Sequence, residues 1–245
     1  MGKYIEEAKK RFYEIVKERN LLNRKVVIKS RVLTPQEAIG NPDRRDFPLL
    51  KGKERIMEAK FKDSVGHVFT DMPGNYEDSL KNILNKELKN NFHRAVLIAS
   101  MNAVLKSLGL IEGVRHCKDN EPEECAKKVS EYLKKNFRRK KRVALIGYQP
   151  AFVDELSKSF TLNVLDLNKE NFGERYGVPV LDGERFLRDI LSWAEIVLCT
   201  GTVFVNNTIE EIAELKPIKE IVFYGVTISG IARLLNLKRV CFYSK

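Results

Sequence analysis

The chain has 245 residues, 43% apolar and 31% charged, with a formal net charge of +11. That suits one large or two modest domains with real cores, and it excludes collagen, low-complexity disorder and a secreted disulfide scaffold. The cysteines Cys117, Cys125, Cys199 and Cys241 are too few and scattered for such a scaffold. No apolar run reaches the roughly 18 residues of a membrane helix, and the start of the chain lacks the uncharged core of a signal peptide. The expectation is a cytoplasmic protein with reduced thiols and no membrane partner. Glutamine is confined to Gln36 and Gln149 while Lys and Glu abound, a composition associated with thermophiles.

Charge is unevenly divided. Residues 1–142 hold 33 Lys and Arg against 20 Asp and Glu, whereas residues 143–245 hold 11 against 13. This places a boundary near the basic run of Lys134, Lys135, Arg138, Arg139, Lys140, Lys141 and Arg142. The expected division is an α+β domain over 1–115, a connecting helix over 116–141 with a basic C-terminal end, and a second domain over 142–245. A basic half can face nucleic acid, an anionic small molecule or plain solvent. The interleaved Glu residues favour solvent and leave nucleic acid the weaker reading.

In chain order, residues 3–18 put Ile5, Ala8, Phe12 and Ile15 on one face of a helix ending near Asn20. Residues 26–33 read as a strand. The next stretch carries Pro35, Pro42, Pro48, Gly40 and Gly52 and reads as a long loop or turn region. Met57, Ala59 and Phe61 alternate with Glu58, Lys60 and Lys62, a half-buried strand that residues 66–70 can pair. From Glu77, the residues Leu80, Ile83, Leu84 and Leu88 fit one amphipathic helix. Residues 93–108 are apolar all round, with small Ala95, Ala99, Ser100 and Ala103, and form a buried helix stopped by Gly109. Asn102 inside it is satisfied by neighbouring backbone or points into a site, because a buried amide without partners costs on the order of 1–3 kcal/mol. Pro122, Glu123 and Glu124 open a further helix along Ala126, Val129, Leu133 and Phe137.

Residues 142–147 form an apolar run closing on glycine, as expected of a strand buried on both faces. Residues 162–166, 195–200, 221–225 and 239–243 repeat that form, and segments of helical character lie between them at 151–159, 184–192, 208–215 and 228–235. The alternation predicts a Rossmann-like, doubly wound parallel sheet, whose strand C-termini share one ligand-bearing edge.

Those ends are small and polar: Gly147, Tyr148, Gln149 and Pro150; Asp166; Thr200, Gly201 and Thr202; Gly225. Asp166 lies 19 residues after Gly147, near the spacing of a ribose-binding acid, with a strand-end cap as the alternative. The first turn is not G-x-G-x-x-G, which disfavours a dinucleotide. Residues 200–208 form the most specific string. Thr208 and Glu211 fit a capping box, which leaves Thr200, Gly201, Thr202, Asn206 and the adjoining Asn207 as candidates for holding an anionic group.

His116, Cys117 and Cys125 can hold a borderline or soft ion, although their spacing is not that of a zinc knuckle; a Cys117–Cys125 disulfide or unlinked thiols are the alternatives. His93 reads as structural and His67 as able to face the cleft. Cys199 and Cys241 read as small hydrophobes in buried strands. No Walker A, G-x-S-x-G or H-E-x-x-H motif is present.

Residues 143–150, Asp166, residues 194–202 and Asn206, with the Asn102-Ala103 pair upstream, resemble the putative heavy-metal chelation family, a prokaryotic family of unknown function. The resemblance covers roughly residues 55–240. It implies an enolase-N-terminal-like α+β domain followed by a Rossmann-like domain, with a ligand site where they meet. The residues that match its pattern are Asn102, Gly147, Pro150, Asp166, Thr200, Gly201, Thr202 and Asn206. The expected function is binding of a small anionic ligand or metal complex at that interface, with a divalent or heavy-metal ion as the implied cofactor. The alternatives are an enzyme using S-adenosylmethionine or a nucleotide, and a nucleic-acid-binding module. A homodimer is the default for such a protein.

Overall fold

The structure is a computed structural model that describes residues 2–22, 27–51 and 55–245. Helix α1 (Lys3–Glu18) precedes strand β1 (Val27–Val32), short helices α2 (Pro35–Ile39) and α3 (Pro48–Lys51), and strands β2 (Arg55–Phe61), β3 (Ser64–Thr70) and β4 (Tyr76–Ser79). Helices α4 (Leu80–Asn85), α5 (Asn91–Ser107) and α6 (Glu121–Asn136) follow. The second half runs β5 (Arg142–Ile146), α7 (Pro150–Ser157), β6 (Thr161–Asp166), β7 (Gly173–Arg175), β8 (Val178–Asp182) and α8 (Gly183–Trp193). It ends with β9 (Ile196–Thr200), a 3₁₀ turn (Gly201–Phe204), α9 (Ile209–Leu215), β10 (Val222–Tyr224), α10 (Ser229–Leu235) and β11 (Lys238–Val240).

The first sheet is antiparallel, ordered β3-β2-β1-β4. The second is ordered β11-β10-β9-β5-β6-β8-β7, and only its edge pair β7/β8 is antiparallel. Without β7 the order is that of a doubly wound nucleotide-binding sheet, with the switch point between β5 and β9. Gly147 and Thr200 leave the sheet at that point, so the expected rim of strand ends exists.

The two sheets do not own separate cores. One apolar cluster joins Met57 and Ala59 of the first sheet, through Ala99 and Ala103 of α5, to Cys199 and Phe223 of the second. Another joins Leu33, Ile39 and Ile56 to Val129, Leu145 and Leu198. Close approach makes this possible: a Cβ on Gly66 would lie 2.4 Å from both the Ala99 carbonyl oxygen and the Ala103 nitrogen. Strand β3 thus rests directly on the backbone of α5.

Several expected elements are redrawn. The proline-rich stretch contains α2, opened by Thr34 and Glu37 as a reciprocal capping box that holds the Glu37 carboxyl down to about 2. The helix expected from Glu77 is a strand and then a helix, because Ser79 caps Asn82 and Tyr76–Ser79 pairs with β1. The β7/β8 hairpin replaces a stretch given no structure from sequence. Its turn uses Tyr176 and Gly177, both left-handed. Residue 26 of the first expected strand, and Gly52, lie outside the described residues.

Candidate functional site

The ends of β5, β6, β9 and β10 meet the end of β3 across a cleft with two lobes. The front lobe, about 410 Å³, is lined by Thr70, Asp71, Asn91, Gly147, Asp166, Asn168, Glu170, Glu184, Thr200, Thr202, Asn206, Thr208 and Glu211, among others. The back lobe, about 120 Å³, is lined by His116, Cys117, Cys125, Tyr148, Gln149, Phe152, Tyr224, Gly225, Val240 and Cys241, among others. Phe69, Gly147, Asp166, Thr200 and Thr202 wall both.

Gly147 takes φ of +90° as it leaves β5, and a Cβ there would meet Thr200 Cγ2 at 2.7 Å. Tyr224 donates its hydroxyl to the carbonyl oxygens of Ile146 (3.1 Å) and Gly147 (2.8 Å), fixing the strand tip. Gln149 caps α7 by accepting from Phe152 N at 2.6 Å, and Pro150 is buried at the first turn of that helix. Both oxygens of Asp166 are engaged: one accepts from Tyr148 N (2.6 Å), the other from Asn168 N (2.7 Å) and Asn171 Nδ2 (3.1 Å). Asp166 thus caps its strand end, and it also lines both lobes.

Four candidates stand off the cavity, the buried Pro150 among them. Asn102 is fully buried and fully bonded. Its Nδ2 donates to the carbonyl oxygens of His67 (2.9 Å), Val226 (3.1 Å) and Thr227 (3.3 Å), and its Oδ1 accepts from Gly230 N at 2.7 Å. It clamps α5 and β3 to the β10–α10 loop. Gly201 is buried beneath Ile228, whose backbone nitrogen would lie 2.7 Å from an added Cβ; the glycine serves packing. Asn207 takes φ of +63° to turn the chain, outside the lining of both lobes.

The capping box is also corrected. Thr208 makes no side-chain cap on α9, and both Thr208 and Glu211 face the front lobe instead. Asn206 Oδ1 accepts from Asn91 Nδ2 at 3.4 Å, and Asn91 also donates to Asp71 at 2.7 Å, so a polar chain crosses from one half to the other. Arg94 lies behind this chain, spent on the carbonyls of Val205 and Leu88 and on Asn91 Oδ1. Sequence reading missed Asp71, Asn91, Glu170 and Glu184, which lie outside the strand-end motifs it searched.

In the back lobe, His116 Nδ1 donates to Ala38 O at 3.1 Å, and its backbone N–H donates to His67 Nδ1, also at 3.1 Å. The remaining His67 nitrogen, Nε2, therefore faces Glu58 with its proton, at 3.1 Å. His67 belongs to this chain of bonds and lines neither lobe. Burial lowers the His116 pKa from 6.5 to about 4. All four cysteines are free thiols, so Cys117 and Cys125 are unlinked. Cys241 is the larger correction. Strand β11 stops at Val240, and Cys241 sits half-buried in the following turn, on the same lobe as Cys125.

The donor sets can be weighed against a metal ion. Among the described residues no three His, Cys, Asp or Glu side chains come together to hold one ion. The front-lobe carboxylates are spread over its walls, while the back lobe gathers soft sulfur donors. Among the described residues no helix is long and apolar enough to cross a membrane.

Residues 132–239 match the family model DUF364, described as putative heavy-metal chelation. No curated protein matches the chain. Among solved structures, a DUF364 protein of unknown function from Pyrococcus horikoshii is similar over 91% of this chain and 79% of its own, at 16% identity and a TM-score of 0.58. A DUF364 protein of unknown function from Desulfitobacterium hafniense is similar over 74% and 72%, at 15% identity and a TM-score of 0.51. At such identities the likeness speaks for the fold. The resemblance read from the sequence is thereby borne out over residues 132–239, which match the DUF364 model, and the fold is one shared with solved DUF364 proteins.

Proposed function

We propose that the protein binds a small cationic ligand, an organic polycation or a chelated metal complex, in the front lobe of the cleft. One observation carries this: among the described residues the lobe is lined by the carboxylates of Asp71, Asp166, Glu170, Glu184 and Glu211 and by no Lys, Arg or His, in a chain of net charge +11. A volume of about 410 Å³ suits a small molecule. Because the carboxylates do not converge on a point, they favour a ligand with spread charge over a bare ion. The hydroxyls and amides of Thr70, Thr200, Thr202 and Asn206 would orient it. An anionic ligand, which the hydroxyl-rich string suggested, would sit among these acids without a counter-charge.

Thermal-shift titration at low ionic strength tests the reading. Spermidine and hexamminecobalt(III), as organic and metal-complex probes, are expected to raise the melting temperature, and Asp71→Asn or Glu211→Gln to weaken binding about fivefold each. Stabilisation by phosphate or citrate with no response to either cation would overturn it.

A further inference from the structure

Strands β5, β6, β9, β10 and β11 run parallel and end at the cleft. The helix-to-strand connections that feed them therefore gather on the opposite edge of the sheet, at residues 137–141, 158–160, 194–195, 216–221 and 236–237. Counting each connection with the last turn of its helix and the first residue of its strand, twelve Lys and Arg stand against five Asp and Glu. The cleft carries the reverse sign, with acids lining its front lobe.

Part of this positive charge serves the fold. Five helices end on this edge, and each C-terminus carries roughly half a negative charge, so together they offset about a third of the excess. Lys216 Nζ donates to Ala194 O (3.3 Å), Lys219 Nζ to Asn236 O (2.8 Å), Lys140 Nζ to Glu195 O (3.3 Å) and Arg142 Nε to Trp193 O (2.9 Å), all carbonyls at or just beyond helix ends. Lys158 pairs with Asp154 and Glu155. The rest has no such role. Lys134, Lys135, Arg138, Arg139, Lys141 and Lys238 are exposed, and none of them pairs with a carboxylate among the described residues. All but Lys238 fall within residues 134–142, a stretch that holds no acid, unlike the interleaved bases earlier in the chain.

We propose that this edge is a docking surface for the phosphate backbone of a nucleic-acid duplex. Strands about 4.8 Å apart set the five connections across roughly 20 Å, and a duplex presents one phosphate charge for about every 1.7 Å of its axis, so several bases can engage at once. Two observations select this partner. The rings within the connections, Phe137 and Phe160, pack into the apolar cluster and lie under Lys140 and Lys141 at 5.7 and 6.0 Å, which leaves unpaired bases no platform to stack on. The large apolar side chains that stand exposed, Tyr13, Met72, Leu167, Tyr176 and Phe242, all lie outside these connections, so an acidic protein or a lipid surface finds no apolar anchor here. A duplex backbone needs neither, and contacts to phosphate carry no sequence preference. Edge and cleft lie at opposite ends of the strands, so the proposal does not depend on what the front lobe binds.

Fluorescence anisotropy of the full chain with labelled, mixed-sequence DNA and RNA duplexes of about 20 base pairs tests it. Engagement of about four phosphates should weaken binding about 150-fold from about 50 to 200 mM salt, alike for unrelated sequences. Arg138→Glu with Arg139→Glu should weaken binding at least about tenfold at the lower salt and reduce the salt slope by about two. Lys29→Glu with Lys60→Glu, at exposed positions on β1 and β2, removes the same net charge and should change affinity by less than about twofold. Circular dichroism melts check that each variant folds; if the arginine pair does not, Lys134→Gln with Lys135→Gln carries the test, again with a slope reduced by about two. A preference for DNA or RNA names the source of the phosphates and supports the surface. An equal loss in the Lys29 and Lys60 variant would reduce the effect to net charge and overturn it. So would affinity that does not respond to salt, no binding of either duplex at the lower salt, or capture by phosphatidylserine vesicles with neither duplex bound.

Discussion

The two lobes share a wall and differ in everything the wall does not supply. The front lobe sets carboxylates, amides and hydroxyls from the turn after β3, α5, β6, α8 and the turn leading into α9 among apolar Ile146, Leu165, Leu167, Leu187, Val203 and Ile212; the back lobe sets sulfur and aromatic rings beside His116 and Gln149. The common residues Gly147, Asp166, Thr200 and Thr202 sit at the β5/β9 switch point, where a doubly wound sheet opens. The difference shows that the sheet fixes where a ligand can go, while flanking elements decide which ligand chemistry it meets.

That comparison can be broken most severely at the joint both lobes depend on. Gly66→Ala drives a Cβ into the backbone of α5 and displaces β3, which carries Phe69, so a loss of about 3 kcal/mol in urea unfolding is expected. Asn102→Ala strips Gly230 N and three carbonyls of their partner and should cost about 2 kcal/mol in the same measurement. A milder native fold in either variant would show that the lobes are less firmly coupled than the packing implies.

Acid sharpens the contrast, because His116 stands in the back lobe alone. Its folded pKa of about 4 lies below the unfolded 6.5, so the native state binds fewer protons between these values. The stability it contributes is complete above pH 6.5 and is lost as pH falls towards 4, with an amplitude of about 1–2 kcal/mol for a partly exposed ring. Urea melts across that range should flatten in His116→Phe. The smallest structural effect belongs to the front: Glu211→Gln, at an exposed position, should alter stability by less than about 0.5 kcal/mol while weakening cationic ligands.

The sheet and its rim were legible because buried parallel strands write themselves as apolar runs ending on glycine or a polar residue, and Gly147, Asp166 and Thr200 stand where those runs predicted. The β7/β8 hairpin was not, since Pro179 interrupts its alternation and the turn rests on Tyr176 in a conformation unusual for tyrosine. Helix α2 carried a readable Thr34-Pro35-Gln36-Glu37 start, which the surrounding prolines masked. The site divided along the same line. Residues on the strand tips could be read off, whereas Asp71, Asn91 and Glu184 reach the cleft only by tertiary packing. Cys241 was misplaced because an apolar strand pattern does not say on which residue the strand stops.

Asn102 binds β3 and the β10–α10 loop to one helix, and the apolar clusters run through both sheets. Walls joined in this way resist moving apart, which favours a cleft shaped before anything arrives. Association would then be limited by diffusion and electrostatic steering rather than by closure, with a rate that falls as salt is added.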